Sequence, residues 1–421
     1  MKTEDYLTRR GPTSPSTSAS STPARQRPRS STLFGRVAIL VASLVLYTMY
    51  HNVTTMSSMT DSHSSSQNHS IFIPFIYAFS SNHVPQVMCT VEGVGIQMPV
   101  DTGSTGTLIG APVLPNISTT VGTPAHHFFT SSKILYVGRL VELAMNFHAE
   151  GSSYATATVP VLIVDKSWRC PWYNPLVDRF ECPPGPNGEQ AVARDTSQIT
   201  YMGVGFGRNG VKDGMPFATP RVNPLLNVDA IDGEPVPRAW VRAGYIVSRE
   251  GVQIGLTPQN TRGFAFSRLE PGLTHADDAR DWAMARMCFS INGEGRNCGH
   301  VLVDTGIAQM YIRTDKGVSM PTVVIPNPNP KGYAKMVKRV KRGTNITIGF
   351  PSLDHPAMSY SFSVGEGSAI EPNYVFPQLP EHPPYVNTGR NLLFRYAIAF
   401  DAVGGRFGFR SVGTSGTASV L

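Results

Sequence analysis

The chain has 421 residues, more than one hydrophobic core usually organises, so two lobes or domains are expected. Hydrophobic residues make up 41% of it and charged residues 15%, and the 39 glycines and 34 prolines predict many turns and few long helices. The formal net charge is +7, but seven of the 36 basic and two of the 29 acidic residues lie in residues 1–36. The rest carries a net charge of only +2, which argues against a nucleic-acid-binding protein.

The N-terminal region contains a polar tail and an apolar run. Residues 10–32 are dominated by Ser, Thr, Pro and Arg, and we predict that residues 1–32 form a disordered cytoplasmic tail. The apolar run Val37–Tyr50 predicts a signal-anchor transmembrane helix over residues 33–53, followed by a linker over residues 54–70.

Charge asymmetry around the apolar run sets its expected orientation. Seven basic residues precede the run, and the next one is Lys133. The positive-inside rule therefore predicts a single-pass type II membrane protein of the secretory pathway or cell surface. A cleaved signal peptide, which would give a secreted protein, is the alternative, because the run has the length of a signal-peptide core. A buried core helix is disfavoured, since nothing nearby in sequence would pack on it.

Four Asn-X-Ser/Thr sequons follow the apolar run, which agrees with a lumenal or extracellular location. Asn52 lies too close to the predicted membrane segment to be modified. We predict glycosylation at the other three positions, Asn68, Asn116 and Asn345.

The five cysteines form two pairs that are close in sequence and one residue left over. Cys170 with Cys182, and Cys288 with Cys298, would each close a short loop as a disulfide in an oxidising compartment. Cys89 is interpreted as a buried strand residue rather than a reactive thiol. No cysteine spacing resembles a zinc site, and we predict no metal and no cofactor.

From Ile71 onward the sequence reads as short strands separated by turns. The best helical candidate is residues 332–342, with apolar side chains at positions 333, 336 and 340. Segments rich in β-branched and aromatic residues and bounded by Gly, Pro, Asn or Asp are 87–91, 159–164, 244–247 and 396–400. The sequence therefore predicts an all-β fold.

One segment type occurs twice. Residues 98–109 and residues 301–312 each consist of an apolar strand, Asp-Thr-Gly, a few further residues and a second apolar strand. Asp101 and Asp304 are 203 residues apart, about half the chain. A duplicated unit of this size suggests two similar lobes.

Asp101 and Asp304 each end an apolar strand and precede Thr-Gly, where glycine permits a sharp turn and the close approach of a partner. If the two turns meet, the carboxyl groups hold one proton between them, because adjacent like charges are costly. The ionised carboxylate takes a proton from a water molecule, and the protonated one donates to the substrate carbonyl. The residues thus predict amide hydrolysis without a covalent intermediate.

These segments resemble those of the pepsin-like aspartic proteases (peptidase A1 type), which carry Asp-Thr-Gly-Ser/Thr once in each lobe. Residues 101–104 match that motif fully, and residues 304–306 match its first three positions. Further similarity lies, in the family's order, in residues 201–207, the cysteine pair before the second motif, and residues 389–409.

The resemblance implies a bilobal pepsin-like fold over residues 71–421, with a catalytic cleft between an N-lobe (about 71–240) and a C-lobe (about 241–421). It also implies catalytic Asp101 and Asp304. The residues that it implies as support within the two turns are Thr102, Gly103, Ser104, Thr305 and Gly306.

The sequence departs from the family at three places. Ile307 stands where the family has a Ser or Thr whose hydroxyl bonds the catalytic carboxylate. In the stretch matching the family's hairpin flap, residues 128–140, the flap Tyr position falls near Ser131, and Tyr136 is a poor substitute. Residues 385–388 read Tyr-Val-Asn-Thr, where the family has an apolar pair before the glycine.

Two functions follow as hypotheses. The first is an aspartic endopeptidase that hydrolyses peptide bonds of a peptide or protein substrate; the second is a catalytically weak or inactive pepsin-fold protein that binds peptides or another ligand. A structural lumenal domain is a third possibility. The expected partners are a peptide or protein substrate and the membrane, through one N-terminal helix. Nucleic acid is not an expected partner, and the protein is expected to be a monomer.

Overall fold

A computed structural model of the chain describes residues 69–208, 215–237, 240–328 and 334–412. Strands dominate these residues, and the helical segments among them are short 3-10 turns at Ala111–Val113, Pro220–Val222, Pro224–Leu226 and Arg390–Phe394. The predicted all-β class is therefore confirmed. The predicted strands at 87–91, 159–164, 244–247 and 396–400 all lie within strands of the structure.

The strands are numbered in chain order. The first eleven are β1 (Ile71–Pro74), β2 (Gln86–Val91), β3 (Val94–Asp101), β4 (Thr105–Gly110), β5 (Thr123–Phe129), β6 (Ile134–His148), β7 (Tyr154–Arg169), β8 (Val192–Ala193), β9 (Thr200–Val204), β10 (Val228–Ile231) and β11 (Glu234–Pro235). The others are β12 (Gly244–Val247), β13 (Gly251–Ile254), β14 (Ala265–Arg268), β15 (Ala285–Ile291), β16 (Glu294–Leu302), β17 (Met310–Arg313), β18 (Thr322–Pro326), β19 (Met336–Val340), β20 (Asn345–Phe350), β21 (Met358–Ser363), β22 (Val375–Pro377), β23 (Tyr385–Asn387), β24 (Tyr396–Asp401) and β25 (Arg406–Ser411).

Three large sheets organise the described residues. A ten-stranded sheet contains β2 to β11, and a seven-stranded sheet has the order β21-β20-β15-β16-β23-β17-β22. A six-stranded sheet, β1-β13-β12-β24-β25-β14, joins the first strand to strands from the second half of the chain. The arrangement is the bilobal one expected from the sequence, with one large sheet in each lobe. The predicted boundary between lobes near residue 240 stays a prediction.

The two halves share one local arrangement. In the first, β9 lies between β3 and β4, which enter and leave the turn of Asp101. In the second, β23 lies between β16 and β17, which enter and leave the turn of Asp304. Because β9 pairs parallel to β3 as β23 pairs parallel to β16, each Asp-Thr-Gly turn stands at the same place in its own sheet.

The prediction of a helix over residues 332–342 is wrong. Within that segment residues 334–342 are described, and Met336–Val340 forms β19, paired antiparallel with β18. Its side chains alternate between exposed and half-buried, with Val340 buried at the end. The guanidinium of Arg339 lies 4.1 Å from the ring centre of Tyr374. A two-residue period with β-branched valines and an aromatic partner thus prevails over the apolar spacing that suggested a helix.

The membrane predictions require correction. None of the helices in the described parts of the chain is long and apolar enough to cross a bilayer, and this finding contradicts the type II, signal-anchor prediction. The predicted helix over residues 33–53 and the tail over residues 1–32 lie outside the described residues, as does the linker except for residues 69 and 70. The apolar run itself is short for a membrane span, since 14 helical residues rise about 21 Å, whereas the hydrocarbon core is roughly 30 Å thick.

Both expected disulfides are present. Cys170–Cys182 closes the loop after β7, and Cys288–Cys298 joins directly opposed residues of β15 and β16. Cys89 is a free thiol in β2 with no exposed surface, and burial raises its pKa above the ordinary value. The interpretation of Cys89 as a buried strand residue is therefore confirmed.

These pairings predict the result of a thiol titration. We expect the native, unreduced protein to react with no equivalent of a thiol reagent, because Cys89 is buried and protonated. After denaturation without reduction, one equivalent should react, since four of the five cysteines are bridged. Three reactive equivalents in the denatured protein would mean that one disulfide is absent, and peptide mapping would then show which.

Candidate active site

The two Asp-Thr-Gly turns meet and hold each other through their threonines. The backbone N–H of Thr102 donates to the hydroxyl of Thr305 at 3.0 Å, and the N–H of Thr305 donates to the hydroxyl of Thr102 at 3.1 Å. Each hydroxyl in turn donates to a carbonyl before the opposite turn, Thr102 to Val303 at 2.6 Å and Thr305 to Val100 at 2.5 Å. This reciprocal set of four hydrogen bonds fixes the two turns against each other.

The threonine bonds bring the two carboxyl groups side by side. Asp101 is 4% exposed and Asp304 is 6% exposed, and the carboxyl of Asp304 lies within hydrogen-bonding reach of Asp101. Each glycine packs on the opposite carboxyl: a Cβ on Gly103 would clash with the Asp304 carboxyl, and one on Gly306 would lie 2.5 Å from Asp101 Oδ1. The motif's glycines are therefore required by the close approach of the two turns.

The Asp101 carboxylate accepts two hydrogen bonds from its own turn. Gly103 N–H donates to Oδ1 at 2.7 Å, and the hydroxyl of Ser104 reaches Oδ2 at 2.9 Å. Burial raises the pKa of Asp101 well above its ordinary value, and the neighbouring charge of Asp304 raises it further; the bonds from Gly103 and Ser104 oppose this. These effects keep a proton on the pair at a higher pH than an isolated aspartate would hold one.

The Asp304 carboxylate also accepts two hydrogen bonds, but from different sources. Gly306 N–H donates to Oδ1 at 2.8 Å, and the side-chain amide of Asn387 donates to Oδ2 at 2.6 Å. Asn387 comes from β23, 83 residues further along the chain. Ile307 has no hydroxyl with which to bond this carboxylate, and Asn387 provides a side-chain donor in its place.

A cleft of about 760 Å³ opens over the two carboxylates. Its walls come from both halves of the chain, as expected for a bilobal fold. Beside the two aspartates it is lined by Phe129, Tyr136, Tyr201, Arg208, Met284, Ile307, Tyr311, Arg313 and Tyr385, among others. The mixture of aromatic and polar side chains suits an extended polar ligand with apolar side chains.

No family model matches this sequence, and no curated protein matches it. Among solved structures, the chain is similar to an aspartic proteinase from Irpex lacteus. The two are 12% identical, the match covers 83% of this chain and 99% of that one, and the TM-score is 0.45.

The hairpin of β5 and β6 covers one side of the cleft. Its turn is formed by residues 130–133, and three residues of that turn, Thr130, Ser131 and Ser132, line the cleft. No Tyr stands in the turn. Tyr136 lies further back in β6, is buried, and accepts a hydrogen bond from Arg194 at 3.3 Å.

A buried cation stands behind the second turn. Arg390 is 4% exposed, and its guanidinium donates to the carbonyls of Thr305 at 3.1 Å and Gly306 at 2.9 Å. It also donates to the carbonyl of Ser81 at 3.2 Å. Burial lowers the pKa of Arg390, while the charges of Asp304 and Asp101 raise it, so the cation interacts electrostatically with the acidic pair.

The structure brings together the seven site residues expected in the two turns, Asp101 to Ser104 and Asp304 to Gly306. Asn116 and Asn345 are exposed, and glycosylation at these positions stays a prediction. Asn68 lies outside the described residues. Within the described ranges, no group of three or more His, Cys, Asp or Glu is arranged to hold a metal.

Sequence reasoning missed Asn387 and Arg390 as parts of the site. The sequence does carry a signal for Asn387, because an amide stands where the pepsin-like proteases that the sequence resembles have an apolar residue, and the apolar Ile307 stands where they have a hydroxyl. Taken together, the two departures exchange a polar and an apolar position around one carboxylate.

Proposed function

We propose that this protein is an aspartic-type endopeptidase that uses Asp101 and Asp304 as one catalytic unit. The observation that carries the proposal is the pair of buried carboxyl groups, held side by side by the threonine bonds and open to a cleft of about 760 Å³. A structural role alone would not require two buried carboxyl groups of like charge at the floor of a cleft, since such a pair is costly unless it serves chemistry.

The proposed mechanism follows from the two environments. The pair holds one proton, and we assign it to Asp101, whose pKa is raised by burial and by the charge of Asp304 and whose neighbour Ser104 can either donate or accept a hydrogen bond. Asp304, which accepts hydrogen bonds at both oxygens, takes a proton from a water molecule as it attacks the scissile carbonyl. Asp101 donates its proton to the carbonyl oxygen, and the resulting tetrahedral diol collapses when the leaving amine receives a proton from the pair.

One observation favours the alternative, a pepsin-fold protein that binds peptides with little or no cleavage. The hairpin turn that faces the cleft offers small hydroxyl side chains and no Tyr, so the substrate is covered by weaker contacts than a phenol would supply. The reacting groups are nevertheless intact, and for this reason we place the endopeptidase first.

Digestion of a peptide library by the purified full-length chain tests the proposal. The reaction is run from acidic to neutral pH, with and without a transition-state analogue directed at paired aspartates. We expect cleavage within extended peptides, best at acidic pH, and inhibition by the analogue. A folded protein that binds library peptides but cleaves none at any pH would establish the alternative.

The raised pKa of Asp101 predicts how activity depends on pH. Since Asp101 must carry the proton, the rate should fall as the pH rises through the raised pKa of this group, and the fall should follow one proton. The measurement is kcat/KM against pH for one cleaved peptide. A rate that keeps rising to alkaline pH would contradict the assignment of Asp101 as the acid.

Stability should change with pH in the same direction. The folded pKa of Asp101 lies above its unfolded value, so the native state binds more protons between the two values and loses stability as the pH rises through that window. Urea unfolding of the wild type and of Asp101→Asn at acidic and neutral pH checks this, since the variant should lose less stability on the change to neutral pH.

We also propose that the protein works in an oxidising compartment or outside the cell. The support for this location is the two disulfides, Cys170–Cys182 and Cys288–Cys298, which persist in such compartments and are rare in the cytosol. A peptide or protein substrate is the expected partner.

A further inference from the structure

The two halves of the site stabilise their carboxylates in different ways, and the register of the strands shows how. Asp101 pairs with Gly203 of β9, and Leu302 pairs with Asn387 of β23. Continuing the second register by two residues sets Asp304 opposite Gly389. Tyr201 and Asn387, each two residues before its glycine, therefore occupy equivalent positions in the two halves.

The residues three positions after the aspartates complete the comparison. In the first half, the hydroxyl of Ser104 donates to the Asp101 carboxylate at 2.9 Å. The hydroxyl oxygen of Tyr201 lies 3.0 Å from that of Ser104. In the second half, the equivalent of Ser104 is Ile307, which has no donor. Asn387, at the position of Tyr201, reaches the carboxylate directly. The side-chain donor to the first carboxylate therefore comes from its own turn, whereas the donor to the second comes from the neighbouring strand β23.

The orientation of the Asn387 amide is fixed by a second hydrogen bond. Its Oδ1 accepts from the N–H of Gly389 at 3.1 Å, so the side of the amide that faces Asp304 must be the NH₂ group. Asn387 is 7% exposed and sits on a strand paired on both sides, which leaves it little freedom to turn away. An amide nitrogen donates and never accepts, so Asp304 Oδ2 must be an acceptor.

Ser104 imposes no such condition on Asp101. Its single hydroxyl hydrogen has two acceptors within reach, Asp101 Oδ2 and the oxygen of Tyr201. When that hydrogen points to Tyr201, the Ser104 oxygen is free to accept a hydrogen bond from the carboxyl O–H of a protonated Asp101. A carboxyl whose neighbour can donate or accept tolerates both protonation states, whereas one whose neighbour only donates favours the charged state.

We propose that Asn387 is the positioning residue that replaces the missing hydroxyl at position 307 and fixes the negative charge of the pair on Asp304. This inference deepens the proposed peptidase function and rests on it for its catalytic consequence. Its electrostatic consequence, the location of the charge within the pair, does not depend on whether any peptide is cleaved.

Three variants and one control test the proposal. Asn387→Leu removes the donor and keeps the number and branching of the side-chain heavy atoms. Ile307→Ser in that background supplies a hydroxyl at the position that Ser104 occupies in the other half. Ile307→Ser alone adds a hydroxyl while Asn387 is intact. The control is Thr388→Val, which removes a buried hydrogen bond to the Gly389 carbonyl without touching either carboxyl group.

The measurements are the pH dependence of kcat/KM and, independently of activity, a carbon-13 NMR titration of the aspartate carboxyl groups in the full-length protein. For Asn387→Leu we expect the lower apparent pKa of the pair, at which Asp304 gains its proton, to move up by about one pH unit or more, and the acid limb of the rate profile to move with it. At acidic pH kcat/KM should fall about tenfold. The double variant should recover most of both changes, and Thr388→Val should leave both titrations where they are.

The outcomes separate the two proposals. An Asn387→Leu protein that is folded by circular dichroism but titrates like the wild type overturns the role of Asn387. A titration that moves as expected in a protein that cleaves nothing supports that role and refutes the peptidase function. If Asn387→Leu does not fold, Ile307→Ser alone decides: a shift under about half a pH unit indicates that Asn387 already supplies the donor, and a larger downward shift overturns the proposal.

Discussion

Replacing either aspartate by asparagine should reduce kcat by about a thousandfold or more, because neither carboxyl group alone can act as both acid and base. Asp101→Asn and Asp304→Asn are nearly isosteric, and the threonine bonds that hold the turns do not involve the carboxyl groups. The double variant should be scarcely worse than either single one, since the two groups act as one unit. Steady-state rates on a peptide from the library digestion measure this.

A matched control separates loss of chemistry from loss of fold. Thr102→Val removes one hydroxyl of the threonine set and leaves both carboxyl groups in place, so its main effect should be on stability. Both aspartate variants should keep the wild-type circular dichroism spectrum and unfold at urea concentrations no lower than the wild type, because they relieve the repulsion of a buried acidic pair. Substantial cleavage by either purified asparagine variant would remove the dyad from the mechanism.

Much of the site could be predicted because its decisive feature is local and repeated. A strand, Asp-Thr-Gly and a second strand form one turn within a dozen residues, and two copies 203 residues apart indicate the pairing of Asp101 with Asp304. The disulfides were predictable for the same reason, since each joins residues close in sequence. In these cases the information lies within a few residues of the feature that it determines.

The parts that could not be predicted depend on register between distant segments. Asn387 reaches Asp304 because β23 enters between β16 and β17, and a shift of one residue would turn its side chain to the other face of the sheet. Arg390 follows on the next segment and binds three carbonyls from two distant places in the chain, Ser81 and the adjacent residues Thr305 and Gly306. The strand β19 was missed because its charged residues and valines fit a helical spacing equally well until the partner strand β18 is known.

The second large effect is expected at Arg390. Arg390→Met should lower the free energy of unfolding by about 2–4 kcal/mol, because the carbonyls of Thr305, Gly306 and Ser81, which are buried or half-buried, would lose their donor. Urea unfolding at a pH where the wild type is most stable gives this value. The second turn should also become less well fixed against the first, so activity should fall together with stability.

Arg390 has an electrostatic effect that a second variant separates from the structural one. The guanidinium charge favours the ionised forms of the acidic pair, so its removal in Arg390→Met should raise both apparent pKa values of the pair and move both limbs of the pH–rate profile to higher pH. Arg390→Lys keeps the charge, but an ammonium group lacks the planar set of donors with which the guanidinium binds three carbonyls. This variant should therefore lose stability, while both limbs of its pH–rate profile stay at the wild-type pH. Equal displacement of the limbs in both variants would show that geometry, and not the charge of Arg390, sets the protonation of the pair.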